Sequence, residues 1–220
     1  RGAGGGAPPG GGGARAPRGS PRAGAGWPPA GIGTARAVGA AGGGSAHAVT
    51  ARHNQGRTRI ADRLGAPPAA WLRWAPGADG ALALTVAWAA KPATRLPEAL
   101  WCSFVPVVAE PERWRLDKLG QLVSPLDVVR RGGRALHAVG EGMAYDGPGG
   151  PLRLATHDAP LVAPGAPRLL DADPPSPDLA GGLHVLLHDN CWGTNFPMWW
   201  EGPARFAFTI RAGAPTEAPT

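Results

Sequence analysis

The chain has 220 residues, enough for one domain with a proper core or two small ones, and its 35 glycines and 26 prolines far exceed ordinary usage. Eight of its 22 basic residues lie in residues 1–61, which contain no acid; the other 14 accompany all 16 acids, so the rest of the chain is slightly acidic. A nucleic-acid-binding domain needs its positive charge on the folded surface, so we expect no nucleic-acid partner. Without a run of about 18 apolar residues we expect no membrane partner either.

Residues 1–46 form a low-complexity segment of glycine, alanine, proline and arginine, which we expect to be disordered because it cannot bury enough apolar surface. We interpret residues 47–70 as a linker, 71–211 as the folded domain and 212–220 as a disordered C-terminal tail. The chain begins with Arg1 rather than methionine, and we expect it to be the C-terminal piece of a longer protein. No signal peptide is recognisable, so the sequence predicts no compartment.

Short apolar segments separated by turns follow one another through the predicted domain. Trp71–Trp74 and Ala81–Trp88 are typical of strands, and the second of these alternates in hydrophobicity. The nearly continuous apolar run Ala99–Val108 predicts a strand covered on both faces. Further strands are predicted at Trp114–Leu119, Ala135–Val139, Leu152–Thr156 and Leu161–Ala163. Without a long amphipathic helix, this pattern predicts an all-β fold, an antiparallel β-sandwich.

Two more strands, Leu183–Leu187 and Arg205–Ile210, are predicted to close the domain as a hairpin. The connection between them is long and aromatic, which indicates a surface or cleft rather than a simple turn. Amides, a carboxylate and indoles suit a sugar, whose hydroxyls lie at the ring edge and whose C–H groups lie on the ring face. Core packing of the tryptophans is an equally good interpretation. The candidate substrate-binding residues are Asp189, Asn190, Trp192, Asn195 and Trp199.

Other polar residues give no self-sufficient active site. His184 and His188 would lie some 13 Å apart on one face of a strand, at about 3.3 Å per residue, which is too far for a shared metal ion. The carboxylate pairs Asp117 with Asp127 and Glu98 with Asp189 are alternatives for acid–base work, but any chain with 16 acids offers such pairs. We interpret Asp117, Lys118, Gln121 and Asp127 as a buried or interfacial polar network, with Leu116, Leu119 and Leu126 pointing inward. The sequence therefore predicts no catalytic residue, metal ligand or cofactor in this chain.

Four stretches taken together resemble a family of large, uncharacterised bacterial and fungal proteins whose architecture is similar to that of glycoside hydrolase family 38, the α-mannosidases. These stretches are Lys91–Trp101 (KPATRLPEALW), Leu116–Val129, His157–Gly165 and Trp192–Trp199 (WGTNFPMW). The resemblance covers residues 71–211. It implies a sandwich of the galactose mutarotase-like kind that follows the catalytic barrel of family 38 enzymes. It also implies that the catalytic aspartates, and a divalent metal, belong to an N-terminal barrel that this chain lacks.

The resemblance thus implies a fragment of a glycoside hydrolase-like enzyme, inactive by itself, whose partners are carbohydrate and the missing catalytic domain of the same polypeptide. In that architecture the loop Asp189–Phe196 would help to bind sugar. Two alternatives remain open: a self-contained carbohydrate-binding module, and a purely structural scaffold. Exposure of Trp192 and Trp199 would favour binding, whereas their burial beside an open apolar face would favour the scaffold.

Overall fold

A computed structural model describes residues 46–47, 65–77, 79–129, 131–169, 171, 174–191 and 197–213. Most of the two predicted tails and of the predicted linker lie outside these residues. The candidate site residues Trp192 and Asn195 also lie outside them.

The described residues form twelve strands. In chain order they are β1 (Ala46–His47), β2 (Trp71–Pro76), β3 (Leu82–Trp88), β4 (Ala99–Phe104), β5 (Trp114–Lys118), β6 (Gln121–Val123), β7 (His137–Ala138), β8 (Gly142–Gly147), β9 (Gly150–Thr156), β10 (Leu161–Pro164), β11 (Leu183–Asp189) and β12 (Ala204–Ala212). Two 3₁₀ turns, Pro111–Arg113 and Leu179–Gly181, are the helical elements of the described residues.

These strands form two antiparallel sheets. The larger sheet has eight strands in the order β1-β2-β3-β12-β9-β8-β5-β6, and the smaller has four in the order β4-β11-β10-β7. Val162, Leu183 and Val185 of the smaller sheet share one buried cluster with residues of the larger sheet. The fold is therefore an all-β antiparallel sandwich, as the alternating pattern predicted.

The core is built where the inward faces of the two sheets meet. On β12 the alternation places Phe206, Phe208 and Ile210 toward this core. The ring of Phe208 meets the ring of Phe104 on β4 edge to face, with a centroid separation of 5.2 Å. Because these phenylalanines belong to different sheets, their contact joins the two layers directly.

The predicted hairpin between the last two strands is wrong. β11 pairs with β4 and β10 in the smaller sheet, whereas β12 pairs with β3 and β9 in the larger one. The segment between β11 and β12, here called the crossing segment, thus connects one sheet to the other. Adjacency along the chain favoured a hairpin, but pairing over long sequence distances determined the sheets.

The run Ala99–Val108 is only partly a strand, because β4 ends at Phe104 and Val105 and Val107 are exposed. Strands β6 and β8 were not predicted. In β8 the pattern is hidden by Gly142, where a Cβ atom would lie 2.1 Å from the carbonyl oxygen of Leu154. A close approach of two backbones therefore requires glycine inside this strand.

The prediction that the leucines in and after the β5–β6 hairpin point inward is only partly correct. Leu116 is buried as expected, but Leu119 is fully exposed at the tip with φ of 56°, and Leu126 is also exposed. Asp117 accepts hydrogen bonds from the backbone N–H groups of Gly120 and Glu141, each at 2.7 Å. Its carboxylate therefore holds the turn.

Neither cysteine forms a disulfide: Cys102 and Cys191 are both free thiols. Burial raises the pKa of Cys102 to about 12 and also raises the pKa of Cys191. Separately, the part of the chain that the structure describes has no helix that is long and apolar enough to cross a membrane.

Candidate functional site

Three segments that are distant in sequence converge where β11 ends and β4 begins. Asp189 pairs with Ala99 across the two strands, and the backbone N–H of Asn190 donates to the carbonyl of Glu98 at 3.2 Å. The crossing segment also contacts this place, because the backbone N–H of Gly202 donates to the carbonyl of Lys91 at 3.0 Å. The loop 91–98, the end of β11 and residues 199–202 therefore form one site.

A buried ion pair lies at the centre of this site. The side chain of Lys91 has no exposed surface, and its ammonium pairs with the carboxylate of Glu98, whose side chain is 9% exposed. The same ammonium donates to the carbonyls of Pro92 at 3.2 Å and Trp200 at 3.3 Å. Its three donors thus have three acceptors, which is what a buried lysine requires.

The carboxylate of Glu98 has a second partner in His188. The Nε2 atom of His188 lies 3.2 Å from Glu98 Oε1, and its side chain is 14% exposed. The imidazole also contacts the indole of Trp200, with ring centroids 5.9 Å apart. The predicted pairing of Glu98 with Asp189 as two carboxylates is replaced in this site by contacts of Glu98 with a lysine and a histidine.

Asn190 is buried, and its side-chain amide is hydrogen-bonded to the loop before β4. Its Oδ1 accepts from the backbone N–H of Glu98 at 2.7 Å, while Nδ2 donates to the carbonyls of Thr94 and Leu96, each at 2.9 Å. Both amide hydrogens are therefore used within the protein. The predicted sugar contact of Asn190 stays a prediction, and the observed bonds give this residue a role in shaping the loop.

Trp199 and Trp200 lie at the surface of the site, with 37% and 38% of their area exposed. Trp88 and Trp114 are instead the buried tryptophans of the sandwich. The guanidinium carbon of Arg95 lies 4.4 Å from the centroid of the Trp199 ring. We call Arg95, Trp199 and Trp200 the tryptophan ledge.

Asp189 ends β11 and is half-buried. Its Oδ1 accepts from the backbone N–H of Cys191 at 3.1 Å, which fixes the turn that leaves β11. The thiol of Cys191 donates to the carbonyl of Glu98 at 3.2 Å. These bonds tie the start of the crossing segment to the loop 91–98.

The structure brings together Asp189, Asn190 and Trp199 of the predicted set, and adds Lys91, Arg95, Glu98, His188 and Trp200. From the sequence alone, Glu98 is paired only with Asp189, and His188 only with His184. Nothing in the spacing of Lys91 and Glu98 indicates burial. The signal that could have found them is that charged residues of opposite sign flank a short Pro-rich loop just before a strand.

The two histidines of β11 lie in different surroundings. A bulge between Leu186 and His188 shifts the register of β11 against β4. His184 Nδ1 lies 2.8 Å from the hydroxyl of Ser103, whereas His188 contacts Glu98. Within the described residues, no group of three or more His, Cys, Asp or Glu side chains could hold a metal ion.

His184 also gives a testable pH dependence, because burial lowers its pKa, while hydrogen bonds with the backbone of Gly165 and Gly181 oppose that shift. An unfolded histidine titrates near 6.5, so the unfolded chain takes up this proton before the folded protein does. The contribution of His184 to stability is therefore complete above about pH 6.5. It is lost as the pH falls toward the lower pKa that this histidine has in the folded state.

We expect the free energy of unfolding in urea to fall between pH 7.5 and pH 5.0, and His184→Gln to reduce that slope. His137, whose pKa is also lowered by burial and then by Lys118, contributes in the same direction and remains in the variant. A variant with the unchanged wild-type slope would contradict the assignment to His184.

Comparisons with protein-family models, curated proteins and solved structures gave no match to this chain.

Proposed function

We propose that this sandwich binds carbohydrate on the tryptophan ledge, as the accessory part of a glycoside hydrolase-like protein whose catalytic groups lie in another domain of the same polypeptide. The observation that carries the proposal is a pair of adjacent, half-exposed tryptophans whose backbone is tied to a buried ion pair. Hydration of an exposed indole ring is unfavourable, and exposed indoles are typical of contact surfaces.

The buried polar groups support the proposal by making the ledge rigid. Lys91 binds the carbonyl of Trp200, and His188 packs against its ring. A fixed aromatic surface loses little conformational entropy when a ligand stacks on it, so more of the contact energy appears as affinity. Buried ion pairs are weak contributors to stability, and a positioning role gives a reason for this one.

The ledge is tested by titrating the full chain with mannohexaose, cellohexaose and galactohexaose while tryptophan fluorescence and calorimetric heat are followed. Binding of at least one hexasaccharide is expected, and Trp199→Ala should weaken it about tenfold or more, as for a truncated tryptophan at a contact centre. Trp71→Ala is the matched control, because Trp71 is 42% exposed on β2 of the larger sheet. Equal effects of the two variants would count against the ledge.

The accessory role is tested by incubating this chain with aryl α- and β-glycosides. We expect no turnover by the chain, and turnover by the full-length protein from the same locus. Turnover by this chain alone would overturn the accessory role.

A scaffold function remains the second candidate, supported by the β5–β6 hairpin. Leu119 and Leu122 are exposed beside a groove of about 670 Å³ on the larger sheet, lined also by Met143 and Leu154. An apolar tip next to a groove suits contact with another domain. If Leu119→Ser weakens association with the catalytic domain while no hexasaccharide binds the ledge, the scaffold function replaces the proposed one.

A further inference from the structure

We propose that the tryptophan ledge selects acidic saccharides, with Arg95 binding the carboxylate of a uronic acid unit. This inference rests on the proposed carbohydrate function and adds the chemical class of the ligand. The side chain of Arg95 is exposed, and its guanidinium lies over the ring of Trp199.

The donors of Arg95 are not used within the part of the chain that the structure describes. Its recorded contact there is with the ring face of Trp199 at 4.4 Å, and no carboxylate or carbonyl accepts from it. Three other exposed arginines of the described residues are paired: Arg113 with Glu110, Arg153 with Asp146 and Arg211 with Asp79. A guanidinium stacked on an indole keeps its N–H groups in the plane of the fork, free at the edge.

Two acids of the site are engaged elsewhere. Glu98 is bound to Lys91 and His188, and Asp189 accepts from the backbone of Cys191. Neither is left to neutralise Arg95. The indoles would take the C–H face of a pyranose ring, and the guanidinium beside them would take a carboxylate through two parallel hydrogen bonds. A uronic acid carries both features on one ring.

One exposed acid on the same segment opposes this selection. Glu201 follows Trp200 directly and is exposed, so its charge repels an anionic ligand. Glu201→Gln should therefore strengthen the binding of an acidic saccharide about two- to threefold and leave a neutral one unchanged, since exposed charge interactions are small. The two charged residues thus give opposite expected effects.

The test compares hexagalacturonate with its fully methyl-esterified form, which has the same sugar backbone without charge. With the full chain in 150 mM NaCl, hexagalacturonate should bind about tenfold more tightly or better, the gain expected of a charge-assisted pair of hydrogen bonds. Arg95→Gln should abolish that preference, so that the acid and the ester bind this variant with affinities within about twofold of each other. Arg95→Lys should keep only part of the preference, because lysine lacks the planar fork.

The arginines of residues 1–61 attract any polyanion, so a matched control is needed. Arg73→Gln removes the same charge from exposed β2 and should leave the preference intact. If Arg73→Gln and Arg95→Gln reduce the preference for the acid equally, that preference comes only from net charge and the inference is wrong. If the ester binds and Trp199→Ala weakens it, but the acid is not preferred, the inference fails while the proposed function stands. If Trp199→Ala weakens the binding of neither ligand and of no neutral hexasaccharide, both the inference and the proposed function fail.

Discussion

Lys91→Met is expected to lower the free energy of unfolding by about 3–5 kcal/mol, the usual effect of removing one partner from a buried ion pair. Methionine has a similar volume, so the effect comes from charge and not from a cavity. Within the described residues, the carboxylate of Glu98 would keep only His188 as a polar side-chain partner, and the carbonyl of Trp200 would lose its donor. Urea denaturation at pH 7.5, followed by far-UV circular dichroism, measures this loss.

A double-mutant cycle separates the ion pair from general damage to the site. Glu98→Gln should also destabilise strongly, because it leaves Lys91 without its counter-charge. Lys91→Met with Glu98→Gln should lose at least about 2 kcal/mol less than the sum of the single variants, since neither charge is then left unpaired. Strict additivity would contradict the pairing.

The exposed pair Arg113–Glu110 provides the matched control. Both side chains are substantially exposed, so solvent screens their attraction. Glu110→Gln is expected to change stability by less than about 1 kcal/mol. The contrast between the two pairs would show that burial, and not the presence of opposite charges, makes the site sensitive.

Much of the fold follows from local pattern, because a sandwich strand has one buried and one less buried face. Alternation located β3, short apolar segments located β9 and β12, and the turn residues located their ends. Pairing is a different question, since β11 and β12 are neighbours in sequence but lie in different sheets. The sequence shows which segments are extended, whereas the complementary packing of whole faces determines which edges meet.

The site, like the fold, can be predicted only in part from the sequence. The polar and aromatic residues that follow β11 are visible in the sequence as unusual for a turn, and Trp199 lies at the surface as a ligand-binding residue must. Lys91 and Glu98 look like ordinary solvated charges in a loop, and only the fold buries them together. Burial of a charged residue depends on contacts over about a hundred residues of chain, which periodicity does not report.

Asn190→Asp is expected to destabilise the protein by about 2–4 kcal/mol at pH 8, although it exchanges one nearly isosteric group for another. The introduced carboxylate has no hydrogen to donate, and it would face the carbonyl oxygens of Thr94 and Leu96 at 2.9 Å in a buried place. Two acceptors, the buried carbonyl of Thr94 and the part-buried carbonyl of Leu96, would lose their donors, and an unpaired charge would be created. Urea denaturation across pH measures the effect.

The pH dependence of Asn190→Asp distinguishes lost donors from lost packing. Burial and the facing carbonyls would raise the pKa of the introduced carboxyl above its unfolded value of about 3.9. As the pH falls through that raised pKa, the carboxyl gains a proton that it can donate to one carbonyl, so the deficit relative to wild type should shrink at pH 5. Asp189→Asn, next in the chain, keeps an acceptor for Cys191 N–H and should change stability little at either pH. A deficit independent of pH would mean that the amide of Asn190 acts through its shape, and that the loop carrying Arg95 is held by other contacts.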